Sequence, residues 1–227
     1  MSGATQRSPV KRQQRRAKRA SEPNAGRTRE RLVAAARELL EEGGYAAASV
    51  QAIAERTGVA TGALYRHFSS KAELFVEVFR DAAQRDLGAM RSSAAGGGFL
   101  ERLEAVVATF ATRALRDRRL AWALVYEPVD PLVDAERLVY RRKYCRHMAA
   151  LLREGIAAGE IPEQNAELSA AALVGAIAES LVGPLSPIAG SLASPEEIVA
   201  TLVRFCRRSV GAGDGAALRR VPRARRA

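Results

Sequence analysis

Residues 27–74 read RTRERLVAAARELLEEGGYAAASVQAIAERTGVATGALYRHFSSKAEL, and this stretch decides the fold of the chain. Between Leu32 and Leu40 its apolar side chains recur at intervals of three and four residues, which is the spacing of a helix with one buried face. Gly43 and Gly44 follow, and glycine favours the left-handed backbone at which helices commonly end. The stretch therefore begins with a predicted amphipathic helix.

Two further short helices are predicted, joined by a tight turn. Ser49 is a suitable N-cap for the second helix, because its hydroxyl can accept a hydrogen bond from an otherwise unpaired N–H. Gly58 permits the turn, and the third helix is expected over residues 61–68, with Leu64 and Phe68 buried on one face. Small and hydrogen-bonding residues remain on the opposite face. Such a helix is suited to enter the major groove of DNA.

The run from Ile53 to Phe75, IAERTGVATGALYRHFSSKAELF, resembles the DNA-binding segment of the tetracycline-repressor (TetR) family of transcriptional regulators. The residues that stand at the family's spacing are Gly58, Val59, Gly62, Leu64, Tyr65, Phe68 and Lys71. Ala60 departs from the pattern, because the family usually has a Ser or Thr there that caps the recognition helix and touches a phosphate; Thr61 is a possible substitute cap. The resemblance is dense over residues 27–79 and covers the rest only as a layout of helices.

This resemblance implies which residues contact DNA. Those expected at the bases or the adjoining backbone are Thr61, Gly62, Ala63 and Tyr65. Those expected to hold phosphates are Tyr65, Arg66, His67, Lys71, Arg27 and Thr28, and Ser49 at the start of the second helix completes the DNA-binding set. One recognition helix makes too few base contacts to find an operator in a genome. We therefore expect a homodimer on a palindromic double-stranded DNA operator.

The remainder of the chain predicts further helices, so the fold class is all-α with about nine helices. The fourth begins at Ser70, and the sixth, from Leu120 to Tyr126, is expected to be buried on every side. Pro128 and Pro131 interrupt the chain ahead of a seventh helix over about residues 135–158. The expected divisions are a disordered basic arm (1–25), a helix-turn-helix DNA-binding domain (26–70), a helical effector-binding and dimerisation domain (71–210) and a disordered basic tail (211–227).

The eighth and ninth helices are the expected dimer interface. Ala172, Gly175 and Ala176 are small enough to let another helix approach closely, and by resemblance two such helices from each subunit would form a four-helix bundle. The alternative is that these small residues pack within the monomer. In the ninth helix, Phe205 is expected to belong to the buried set.

The family resemblance also implies a cavity for an unidentified small-molecule effector. Candidate residues for its wall are Trp122, Tyr126, Tyr140, Tyr144 and His147, with Glu179 placed either to meet a cationic ligand or to reach solvent. Taken alone, each of these residues fits plain core or surface better than a ligand contact. Binding would tilt the fourth helix, change the separation of the recognition helices and release the DNA, as expected of a repressor.

The net charge of +11 lies mainly in the two ends of the chain, where Arg and Lys far outnumber acidic residues, and the folded part is almost neutral. Basic tails strengthen binding to any DNA without choosing a sequence; the alternative is that they only keep the protein soluble. Two other classes stay open on the same charges. They are a non-specific nucleic-acid-binding protein and an adaptor for anionic membrane surfaces.

Enzymatic and metal-binding functions find no support in the sequence. Two His and two Cys are present, without metal-ligand spacing, and no glycine-rich phosphate loop follows a strand. We expect no enzyme activity, no cofactor and no metal. We read no apolar run as a membrane span and no signal peptide at the start, so we expect a cytoplasmic protein without a membrane partner.

Overall fold

The computed structural model describes residues 9–127, 130–188 and 193–211, with side chains described from Gly26 onward. Within these ranges all regular structure is helical, which confirms the predicted all-α class. The helices are α1 (Pro9–Ala47), α2 (Val50–Thr57), α3 (Thr61–Leu64), α4 (Lys71–Ser93), α5 (Phe99–Arg116), α6 (Arg118–Val125), α7 (Pro131–Ala157), α8 (Ala166–Leu185) and α9 (Pro195–Ser209).

The first described helix extends further toward the N-terminus than the sequence predicts. Helix α1 begins at Pro9, so residues 9–25 are helical where the sequence predicts a disordered arm. This run is rich in Arg, Lys, Gln and Ala, which are good helix formers, and it continues directly into the predicted first helix. Residues 1–8 and the predicted tail from residue 212 lie outside the described residues, so disorder there stays a prediction.

The predicted turns and caps around α2 are present. Gly44 breaks α1 with φ 71° and ψ −166°, and Gly58 ends α2 in the left-handed region with φ 67°. The Ser49 hydroxyl accepts a hydrogen bond from the Ala52 N–H at 3.1 Å, and the Ser70 hydroxyl accepts one from the N–H of Glu73 at 3.1 Å. These contacts fix the directions of α2 and α4.

Two hydrophobic clusters make up the core of the described chain. One is formed by α1 to α4 together with α6 and the first half of α7, and it includes Leu32, Leu64 and Tyr140. The other is formed by the end of α4 with α5, α7, α8 and α9. Helix α4 belongs to both clusters, and α6 packs on α1. Hydrophobic contacts therefore cross the proposed domain boundary at residue 70, which stays a proposal.

Two sequence-based helix bounds need correction. Helix α3 ends at Leu64 and the chain continues as a tight turn, with the N–H of His67 bonded to the Leu64 carbonyl at 2.9 Å; the helix is shorter than the predicted 61–68. Helix α7 begins at Pro131, because Asp130 caps it by accepting from the Leu132 N–H at 2.9 Å. Proline suits the first turn of a helix, where its missing N–H is not needed.

Two predictions of burial are also wrong. Helix α6 is not buried on every side, since Val125 is 42% exposed. Its apolar outer face borders a cavity. In α9 the buried residues are Leu202 and Cys206, whereas Phe205 is 47% exposed, because α9 turns a narrow stripe toward α5 and leaves the adjacent face uncovered.

Candidate DNA-binding surface and ligand cavity

The α2–α3 unit presents one face of the recognition segment outward. Leu64 and Phe68 are 0% and 1% exposed and anchor the segment in the first cluster, as predicted. The opposite side carries Thr61, Tyr65 and Arg66, all exposed, and Tyr65 leaves 52% of its surface accessible. This is the arrangement that a helix needs to reach base edges while remaining fixed to its domain.

Most of the predicted DNA-binding residues are accessible to solvent. Arg27, Ser49, Thr61, Gly62, Tyr65 and Arg66 are exposed, and Thr28, Ala63 and His67 are partly exposed. Ala60 occupies the N-cap position of α3 and makes no side-chain cap, as its lack of a hydroxyl predicts.

Lys71 is placed differently from the other predicted phosphate contacts. Its ammonium group donates to the Tyr45 carbonyl at 3.3 Å and lies 4.0 Å from the centre of the Tyr45 ring. Burial lowers the pKa of Lys71, and the nearby Glu127 carboxylate partly opposes this. In this structure Lys71 holds the turn between α1 and α2, so its role as a phosphate contact stays a proposal.

Polar contacts behind the recognition segment fix its orientation. Arg31 donates to the Thr57 carbonyl at 2.6 Å, which ties α1 to the end of α2. Arg56 forms two hydrogen bonds with Glu42, at 2.5 and 2.8 Å, and these lower the pKa of that carboxyl. The guanidinium of Arg29 lies 4.8 Å from the centre of the Phe68 ring.

A cavity of about 480 Å³ lies between α4, α5, α6, α7 and α8. Most of its wall is apolar and includes Met90, Val107, Phe110, Ile177 and Leu181. This volume and chemistry are those of a small-molecule site.

The polar groups of the wall include an ion pair and two tyrosines. Arg113 and Asp86 form an ion pair at 2.6 Å within the wall. Tyr126 donates its hydroxyl hydrogen to the Ala178 carbonyl, and burial followed by the charge of Glu179 raises the pKa of Tyr126 to about 12. Burial likewise raises the pKa of Tyr144. Both phenols therefore stay protonated near neutral pH.

The predicted ligand residues divide into two groups. Tyr126 and Tyr144 lie in the cavity wall. Trp122, Tyr140, His147 and Glu179 lie outside it. Trp122 packs on Tyr126 with ring centres 5.4 Å apart, and Glu179 is exposed.

Tyr140 belongs to the core of the DNA-binding half, where it is 1% exposed and meets Phe79 edge-on at 5.5 Å. His147 has a buried Nε2 atom without a hydrogen-bond partner in the described residues. Tyr140 and His147 share a helical face with Tyr144 in the sequence, but α7 runs past both clusters. Positions along one face of α7 therefore reach different surroundings.

Sequence reasoning missed the charged part of the cavity wall. Arg137, Arg141, Tyr144 and Met148 of α7 all line the cavity. Their spacing of four, three and four residues places them on one helical face, and this was the signal available in the sequence. Charged residues on such a stripe are equally typical of a solvated face.

Sequence reasoning also missed how apolar helix α8 is. By length and composition it could cross a membrane, although core helices of other proteins pass the same test. Only 28% of its most apolar window is buried in the monomer.

The described residues contain no group of His, Cys, Asp and Glu placed to hold a metal ion.

A helix-turn-helix unit with a free recognition face, packed against a helical domain that encloses an apolar cavity, defines a class of protein. It is the class of DNA-binding regulators that carry their own ligand domain.

Comparisons with known proteins agree with that class. Residues 32–78 match the family model of bacterial regulatory proteins of the tetR family, and residues 96–181 match the tetracyclin repressor-like C-terminal domain. The chain belongs to the TetR family of transcriptional regulators, as the sequence predicts. It is a DNA-binding transcriptional regulator and not an enzyme.

Individual relatives match this chain over different lengths. The regulator UidR of Escherichia coli (strain K12) is 28% identical over 149 residues, which are 65% of this chain and 76% of that protein. The repressor KstR of Mycolicibacterium smegmatis is 39% identical over 80 residues, 35% of this chain and 39% of that one. A TetR/AcrR-family regulator from Thermobifida fusca superimposes with a TM-score of 0.63 at 27% identity, covering 78% of this chain and 95% of the other.

Proposed function

We propose that the protein is a cytoplasmic homodimeric repressor that binds a palindromic operator and is released from it by a small molecule. The observation that carries the DNA-binding role is the division of the recognition segment into two sides. Leu64 and Phe68 are buried, while Thr61, Tyr65 and Arg66 face outward. Membership of the family supports the repressor role and the response to a ligand.

Selection from random DNA, followed by footprinting, tests this proposal. Tyr65→Ala and Arg66→Ala should abolish the footprint on the selected operator and leave the helical circular dichroism unchanged, because both side chains are exposed. Arg146→Ala, an exposed residue on α7, is the matched control and should bind normally. An unchanged footprint in the Tyr65 and Arg66 variants would refute the assignment.

The basic ends distinguish this proposal from non-specific binding. If the tails alone held nucleic acid, removing residues 1–24 and 212–227 would abolish binding. We expect the shortened chain to keep its sequence preference and to lose affinity mainly at low salt, because tail charges release counterions without reading bases. Liposome flotation that is unaffected by competing DNA would support the membrane adaptor instead.

We propose that α8 and α9 form the dimer interface. Their uncovered apolar side chains, Leu168 at 69% and Phe205 at 47% exposed, support this, together with the low burial of α8. A Cβ atom added at Gly175 meets no atom within 4 Å, so the monomer leaves open space beside this position.

Gly175→Leu tests the interface because it adds bulk only where a partner would sit. We expect light scattering to show a monomer for Gly175→Leu and a dimer for the wild type. Gly88→Leu is the matched control on α4, since a Cβ there also meets no atom within 4 Å. A dimeric Gly175→Leu protein would place the interface elsewhere.

The route from ligand to DNA is proposed to run through α4 and α6. Both helices line the cavity and both pack in the cluster that holds the recognition segment. A ligand shifts the equilibrium only by its difference in affinity for the two states, and a difference of about 100-fold corresponds to about 2.7 kcal/mol.

A further inference from the structure

The arginines around the cavity are unequally committed to the protein's own carboxylates. Four of them form ion pairs: Arg37 with Glu41, Arg85 with Asp81, Arg113 with Asp86 and Arg137 with Asp134. Arg141 also lines the cavity and is exposed, yet within the described residues its guanidinium makes no ion pair or hydrogen bond. The wall thus retains a cation that is available to a ligand.

A second donor lies next to this cation. Tyr144 follows Arg141 by three residues on α7, and both line the cavity. Side chains at this spacing lie roughly 5–6 Å apart on a helix, so one carboxylate can accept from both. The Tyr144 hydroxyl makes no hydrogen bond with any described residue, and its raised pKa keeps it a donor. A guanidinium N–H beside a phenol O–H forms a suitable site for an anionic head group.

Much of the remaining cavity wall is apolar, and one part of it, Phe110, packs edge-on against Tyr144 with ring centres 5.7 Å apart. Val107 and Phe110 of α5 and Ile177 and Leu181 of α8 contribute to it. Polar ligands would lose their hydration there without recovering hydrogen bonds, whereas a hydrocarbon chain gains from burial.

We propose that the effector is an amphipathic anion, with its anionic head at Arg141 and Tyr144 and a hydrocarbon body along the apolar wall. This inference rests on the proposed function, because it takes the cavity as the effector site. A fatty carboxylate and a fatty-acyl thioester of coenzyme A share this chemistry, and the experiment separates them.

Glu179 allows a test of the sign of the ligand's charge. It is exposed on α8 outside the cavity wall, and its charge acts on Tyr126, as does that of Arg141. An anion at this position is therefore attracted by Arg141 and repelled by Glu179. Removing the two charges should have opposite effects on an anionic ligand and little effect on a neutral one.

The experiment uses Trp122, the only tryptophan of the chain, as the reporter, because it packs on Tyr126 of the cavity wall. Its fluorescence is titrated with dodecanoate, dodecanoyl-coenzyme A, dodecanol and dodecylamine. We expect the wild type to prefer an anion over the alcohol and the amine. Arg141→Gln should weaken that binding about tenfold, the loss of one charge-assisted contact. Tyr144→Phe should weaken it less, and Glu179→Gln should strengthen it.

Arg142→Gln is the matched control, because Arg142 neighbours Arg141 on α7 but does not line the cavity; it should bind as the wild type does. Tighter binding of dodecanoyl-coenzyme A than of dodecanoate supports the proposal. In that case the coenzyme A part of the ligand supplies the negative charge. Tighter binding of dodecylamine, or no effect of Arg141→Gln, overturns it.

Operator binding, measured separately without ligand, distinguishes the two possible failures. A protein that binds its selected operator but binds neither anion contradicts only the ligand class. A protein that binds no operator contradicts the proposed function itself.

Discussion

The carboxylate of Glu127 accepts a hydrogen bond from the backbone N–H of Tyr45, with 3.1 Å between Oε2 and N. Glu127 directly follows Tyr126 of the cavity wall, and Tyr45 directly follows the bend at Gly44 that leads into α2. The contact is close, since a Cβ atom at Gly44 would lie 3.2 Å from the same carboxylate. The cavity and the helix-turn-helix are therefore joined by a hydrogen bond as well as by packed helices.

Removing this acceptor should affect both stability and signalling. Glu127→Ala leaves a partly buried N–H without its partner, and we expect a loss of about 1–2 kcal/mol in the free energy of unfolding by urea. The effector should also release operator DNA less completely. Glu127→Gln keeps an acceptor oxygen and should retain most of the stability. If Glu127→Ala unfolds and responds as the wild type does, the contact does not transmit the signal.

Lys71 should contribute to the stability of the fold, although the family pattern suggests a phosphate contact for it. Lys71→Ala removes the hydrogen bond to Tyr45 and the cation over its ring, and we expect it to lower the free energy of unfolding by about 1 kcal/mol. Arg66→Ala, on the exposed side, should stay within about 0.5 kcal/mol of the wild type. Equal stability of the two variants in urea unfolding would contradict this assignment.

The recognition helix lacks a side-chain cap that a single substitution can supply. Ala60 has φ −59° and ψ 139°, an extended conformation that suits an N-cap residue. Ala60→Ser should therefore raise the free energy of unfolding by about 0.5–1 kcal/mol and tighten operator binding. Ala60→Val adds bulk without a hydroxyl and is the control. Ser49→Ala, which deletes the existing bond to Ala52, should cost about 1 kcal/mol.

His147 should make the protein less stable in mild acid. Burial lowers the pKa of His147, and the charges of Arg91 and Arg102 lower it further against Glu154. As the pH falls below the ordinary value of 6.5, the unfolded chain binds a proton that the folded chain resists, so stability is lost.

His147→Gln should reduce that loss between about pH 6.5 and pH 5, measured as the urea midpoint at each pH. Arginine lowers the pKa of some carboxyls, such as Glu136. Protonation of these groups costs stability only near and below their ordinary pKa of 4.5, so their pH range is separate from that of His147. His67→Gln is the control and should keep the acid sensitivity of the wild type. An equal loss in all three proteins would exclude His147 as its cause.

The sequence by itself determined the local parts of this protein. Ser49, Gly58 and Leu64 act within one or two helical turns, so hydrogen bonding, backbone freedom and periodicity were enough to predict the cap, the turn and the buried face. The motif spacing then identified the family. Exposure of Tyr65 and Arg66 followed from the same short-range geometry.

Only the tertiary structure decided where distant segments meet. The sequence grouped Tyr140, Tyr144 and His147 by their shared helical face, but α7 passes two different clusters, so Tyr144 alone of the three reaches the cavity. Nothing in the sequence places Arg141 at the cavity, and only the packing of α7 against α4, α5 and α8 brings it there. Lys71 and Glu127 meet at Tyr45 because α6 packs on α1. Such contacts depend on the packing of whole helices, which local periodicity does not specify.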